Sequence, residues 1–163
     1  MALIVQKYGG TSVGTPERIQ VVAEKIIQYR DQGNQLVVVV SAMSGETDRL
    51  LSLAATLSER PAPRELDVLL ATGEQTTIAL LAMALEERGC AARSYTGAQV
   101  HILTDDAHNK ARILDIDANR VSSDLAAGRV VVVPVFRGWM NTAISLPSAG
   151  GGLIPLQLRL PPH

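Results

Sequence analysis

The run Leu36-Val37-Val38-Val39-Val40 leaves few folds open to this chain. An unbroken apolar, mostly β-branched stretch without polar alternation suits a strand covered on both faces, as in parallel sheets flanked by helices. Val130-Val131-Val132-Val133 repeats the pattern, and Ala2-Leu3-Ile4-Val5 is a shorter version near the N-terminus. Between these runs the apolar spacing turns helical. It predicts a helix over Pro16 to Asp31 with Ile19, Val22, Ala23 and Ile26 on one face, Thr15 as N-cap, Glu17 in the first turn and Gly33 as the stop.

Further on, Thr47 is expected to cap a helix that carries Leu50, Leu51, Ala54 and Leu57 toward the core. After Pro61 and Pro63, a helical segment from Arg64 to Leu70 is expected to be interrupted by Ala71-Thr72-Gly73-Glu74. Gln75 to Glu87 then reads as a long, nearly all-apolar helix ending at Gly89, buried or at a subunit interface, with Glu74 as an acid at its N-terminus. Ala91 to Tyr95 and Val100 to Leu103 look like short strands about a Thr96-Gly97 turn, and Ala118 to Ala127 like a short helix stopped by Gly128. Strands alternating with helices imply a layered α/β/α fold with a largely parallel sheet.

Composition narrows the class. A chain of 163 residues that is 47% hydrophobic, 19% charged and of net charge -1 is neither a disordered segment nor a nucleic-acid binder, and its length predicts one domain. The single cysteine, Cys90, excludes an intrachain disulfide and reads as packing. Asp105, Asp106 and His108 read as a solvated loop, so no metal site is expected. No apolar run is expected to reach the length needed to cross a bilayer, no signal-peptide pattern opens the chain, and the cytoplasm is the expected compartment.

The chemistry concentrates in Lys7-Tyr8-Gly9-Gly10-Thr11-Ser12, between a strand and a helix. Two glycines let the backbone turn sharply and approach a ligand closely, and turn amides beside a helix N-terminus favour anionic oxygens. With Lys7 at the strand end, the stretch suggests a phosphate cradle. Neither G-x-x-x-x-G-K-[ST] nor G-x-G-x-x-G is present. The Ser41-Ala42-Met43-Ser44-Gly45-Glu46-Thr47-Asp48 loop leaves the carboxyl end of a second strand, where ligands bind in open α/β sheets.

The string Lys7-Tyr8-Gly9-Gly10-Thr11-Ser12 resembles the K-[FY]-G-G-T-S opening of the aspartokinases, members of the amino-acid kinase family. Val37 to Thr47, Leu70-Ala71-Thr72-Gly73-Glu74-Gln75 and Ser94-Tyr95-Thr96-Gly97 resemble further aspartokinase segments in the same order, from Met1 to Val133. The resemblance implies transfer of the γ-phosphoryl of MgATP to the side-chain carboxylate of L-aspartate, the first step toward lysine, threonine and methionine. It implies contacts from Lys7, Tyr8, Gly9 and Gly10 to ATP phosphates, with Lys7 stabilising charge on the transferring group and Mg²⁺ held by the phosphates. Ser41 would lie on the nucleotide side, and Thr47 and Glu74 would hold aspartate. Phosphoryl transfer needs positioning and charge neutralisation, and a carboxylate acceptor is already ionised near neutral pH, so no general base is required. Kinases of the same fold that act on glutamate, carbamate or uridylate are the competing enzymes.

Beyond Val133 the character changes. Residues 134–163 contain the only Phe and the only Trp, five of the 8 prolines and no Asp, Glu or Lys. Trp139-Met140-Asn141 must be encoded TGG-ATG-AA, and one base back this reads xTG-GAT-GAA, which forces Asp-Glu. The same step permits Ala-Gly-Phe-Gln-Gly from Pro134 to Gly138 and Arg-Gly-Gly-Ser-Asp-Thr-Thr from Gly150 to Leu156, strings that resemble aspartokinase where it should continue. The expectation is an incomplete kinase domain over 1–133 and a frameshift-derived, poorly ordered tail over 134–163. Such a chain would be an inactive remnant, with a sheet edge unpaired after Val133 and the Gln75 to Glu87 helix as its route to a homo-oligomer.

Overall fold

In the computed structural model, residues 2–99, 102–104, 113–116 and 119–135 are described. Asp105, Asp106, His108 and residues 136–163 lie outside them. Among the described residues, β1 (Leu3–Tyr8), β2 (Gln35–Val40), β6 (Val130–Pro134) and β3 (Ala92–Ser94) form one parallel sheet in the order β1-β2-β6-β3. A second, antiparallel pair joins β4 (Ile102–Thr104) to β5 (Ile113–Ile116). The two polyvaline runs become the inner strands, as continuous apolarity requires.

Each face of the sheet has its own packed layer. Leu36, Val38, Val40, Val130 and Val132 point to one side, where they meet Ile19, Val22, Ala23 and Ile26 of α1 (Pro16–Asp31) and Ile78, Leu81 and Leu85 of α3 (Pro63–Glu86). Val39, Val131 and Val133 point to the other, against Leu125 of α4 (Asn119–Ala126). The period-two alternation along each strand thus feeds two cores. Cys90 is buried in the first of them.

The N-terminal signals of α1 act as expected: the Thr15 hydroxyl accepts from the Arg18 amide at 3.3 Å, Pro16 opens the helix, and Gly33 follows its end at φ 84°. β1 runs three residues past Val5, because Gln6, Lys7 and Tyr8 pair with Val38, Val39 and Val40. Three further expectations fail. Thr47 does not cap α2 (Glu46–Leu57): the N-cap is Gly45 at φ 80°, and Thr47 sits in the first turn. Only Leu50 of that helix is buried, while Leu51 and Leu57 are 40% and 88% exposed, because α2 packs along α3 rather than on the sheet.

The break at Ala71–Glu74 is also absent, since α3 runs unbroken for 24 residues and places Glu74 at mid-helix. Gly73 is kept there by packing. A Cβ on it would stand 3.1 Å from Glu46 Cγ, 3.2 Å from Ala42 Cβ and 3.3 Å from Leu50 Cδ1, so the missing methyl lets α2 and the loop after β2 close on α3. The joined helix contains an 18-residue window of mean hydropathy 1.5, long and apolar enough to cross a membrane by length and composition. The expectation that no apolar run reaches that length is corrected, because two segments join into one helix; 28% of the window is buried, and the helix contacts α1, α2, β3 and β6.

Candidate functional site

The carboxyl ends of β1, β2 and β6 open on the same side. The turn after β1 closes with the Ser12 amide donating to Gly9 O at 2.9 Å, the Arg18 guanidinium donates to Thr11 O, and Val13, fully buried, anchors the loop in the core. Beside it, the Ser41 amide donates to Tyr8 O at 3.2 Å and the Val135 amide to Val40 O at 2.9 Å. A Cβ on Gly10 would stand 2.8 Å from Ala42 O, closer than side chains tolerate. Gly10 therefore brings the two loops into backbone contact. Ala42 is held from the other side by Gly73, so one short segment touches both the glycine turn and the middle of α3.

The residues singled out by the sequence fall around that segment. Lys7, the last residue of β1 but one, has an exposed side chain on the strand face opposite Tyr8. Gly9 has no heavy atom within 4 Å of a Cβ position, which leaves room for a ligand oxygen at the backbone. Half-buried Ser41 begins the loop after β2, and half-buried Thr47 and Glu74 follow Glu46 and Gly73, the pair whose contact joins α2 to α3. Glu46 is paired with Arg49 at 2.8 Å, and the Arg49 hydrogen bond holds its carboxyl below the usual range. Tyr8 is turned away: its half-buried phenol packs on the α1/α3 core and donates to Gln6 Oε1 at 3.1 Å, and burial raises its pKa. Only its backbone faces the turn.

One polar cluster escaped the sequence reading. Asp124 on α4 is 4% exposed and accepts from the Tyr95 hydroxyl and from Arg129 Nη1 at 2.7 Å, with Arg93 at 3.7 Å. Burial pushes its carboxyl up, but Tyr95, Arg129 and Arg93 outweigh that and hold it below the ordinary range. The available signal was its position beside Leu125 and three residues after Val121, on the apolar stripe of the helix. No group of His, Cys, Asp and Glu among the described residues is arranged to hold a metal ion.

Residues 2–146 match the amino acid kinase family. The chain belongs to that family. It is 69% identical over 138 residues to an aspartate kinase of Stutzerimonas stutzeri, an alignment that takes in 85% of this chain and 34% of the relative. An aspartokinase of Pseudomonas aeruginosa is 66% identical over the same length, with the same coverage. The chain thus spans about a third of the length of the curated relatives it matches. The crystal structure of an aspartate kinase from Synechocystis superposes with a TM-score of 0.68 at 51% identity, covering 81% of this chain and 21% of that one. Escherichia coli aspartokinase III, solved with aspartate and ADP, shares the fold, with a TM-score of 0.65 at 20% identity over 82% of this chain and 40% of its own. The layered α/β architecture is that of the amino acid kinases.

Proposed function

We propose that this chain is the N-terminal portion of an aspartate kinase catalytic domain, which in the whole protein transfers the γ-phosphoryl group of MgATP to the side-chain carboxylate of L-aspartate. The observation that carries the reading is the 69% identity to a curated aspartate kinase over 138 residues. Lys7 stabilises charge on the transferring group, while Gly9, Gly10 and the Tyr8 backbone hold ATP phosphates, for which the open space at Gly9 leaves room. Ser41 lies on the nucleotide side. Thr47 and Glu74 hold aspartate, with Glu74 facing its α-ammonium group. Mg²⁺ would be held by the ATP phosphates rather than by protein carboxylates, and would neutralise part of their charge. The cytoplasm is the compartment this chemistry implies, and the Gln75 to Glu87 stretch, which forms the second half of α3 and its C-cap, with Met83 65% exposed, is the chain's route to a homo-oligomer.

The proposal includes a one-base shift after codon 133 as the origin of residues 134–163. The family match runs on to residue 146, so the nucleotide sequence must place the shift. Trapping the acyl phosphate with hydroxylamine tests the whole reading. Aspartyl hydroxamate is expected from a gene with the frame restored, lost on Lys7→Ala, and absent from the chain as written. Product from glutamate, carbamate or uridylate instead of aspartate would move the assignment to a sister kinase. Turnover by the unrestored chain, abolished by Lys7→Ala, would overturn the inactive-remnant reading.

A further inference from the structure

A second group of cations gathers on the α4 face of the sheet, away from the glycine turn. A cleft of about 400 Å³ is lined by Arg93, Tyr95, Asn119, Arg120, Ser123 and Asp124. Tyr95 follows β3, at the opposite edge of the sheet from β1 in the order β1-β2-β6-β3. Three strand spacings, about 14 Å, separate the two sites.

Among the described residues, charge in the cleft is unbalanced. Asp124 is the only carboxylate of that described lining, and it is already engaged by the Tyr95 hydroxyl and by Arg129 at 2.7 Å. Arg93 approaches that carboxylate only to 3.7 Å and keeps 51% of its side chain exposed, while Arg120 and Ser123 are exposed on α4 three residues apart, on one face of the helix. A buried, charge-neutralised floor beneath two guanidinium groups and a hydroxyl suits an oxyanion with several acceptor oxygens. Arginine forks match phosphate in particular. The volume exceeds that of an inorganic ion and falls in the range of small-molecule sites.

We propose that the Arg93–Arg120 cleft binds the phosphate group of a small anionic molecule, with Arg93 and Arg120 as direct contacts, Ser123 as a hydroxyl donor, and Asp124 as the positioning residue that orients Arg93 from below. The site is independent of the kinase reading, since none of the residues proposed to bind ATP or aspartate lines it.

Amide chemical shifts of the full chain, titrated at constant ionic strength with inorganic phosphate and separately with phenyl phosphate, test the assignment. Saturable shifts are expected at Tyr95, Arg120 and Ser123. Tighter binding of phenyl phosphate assigns the site to a phosphorylated molecule, and equal binding assigns it to the free ion. Arg120→Gln, an exposed change that leaves the Asp124 cluster intact, should weaken binding about tenfold, and Lys25→Gln on the opposite sheet face should leave it unaltered. Non-saturating shifts, or equal losses in the two variants, would overturn the proposal.

Discussion

Asp124 is a buried carboxylate whose ionisation is coupled to folding. Its folded pKa is depressed, so it stabilises the chain at pH values above the unfolded carboxyl's, about 4, and that contribution is lost as pH falls through the folded value. Asp124→Asn should cost about 2 kcal/mol at neutral pH and flatten the acid limb, read by urea unfolding across the pH range. Tyr95→Phe removes the hydrogen bond while keeping the ring, and a loss of about 2 kcal/mol is expected from the same measurement. Thr15 is a simpler case: its cap on Arg18 N was legible in Thr-Pro-Glu, and Thr15→Ala should lower stability by about 1 kcal/mol. Thr47 had the same local credentials and does no capping. Gly45, in a left-handed conformation that glycine adopts without strain, starts α2 two residues earlier.

Among the elements, α3 departs furthest from its sequence pattern. A glycine inside a helix costs about 1 kcal/mol relative to alanine, which made the Ala71–Glu74 segment read as a break. The cost is offset by contact, because α2 and the loop after β2 press on Gly73. Gly73→Ala gains helix propensity but adds a methyl 3.1 to 3.3 Å from three atoms, so a net loss of about 1 kcal/mol is expected, with faster amide exchange in the first turns of α2. Gly73→Val should be distinctly worse. α2 itself illustrates the limit of periodicity: Leu51 and Leu57 fit a core stripe, yet among the described elements α2 packs mainly along α3 and leaves both exposed.

For the whole molecule, the two buried clusters found among the described residues lie between Leu3 and Val135. The proposed frameshift origin of the tail predicts that a chain ended after Val135 keeps the helical circular dichroism and thermal midpoint of the 163-residue chain; a loss of cooperative unfolding would count against that origin. The chain spans about a third of the length of the curated relatives it matches, and its described residues still fold around a sheet with two covered faces.

The parallel sheet, the two polyvaline strands at its centre, α1 with its caps and the glycine turn beside Lys7 were all legible in the chain, because each rests on local periodicity or on the backbone preferences of a few adjacent residues. Tertiary contact alone carried α3 through Gly73, left α2 half exposed, turned the Tyr8 phenol toward Gln6 and drew Asp124 under Tyr95 and Arg129. Those outcomes depend on which surfaces meet across long sequence separations, and no window of neighbouring residues contains that information.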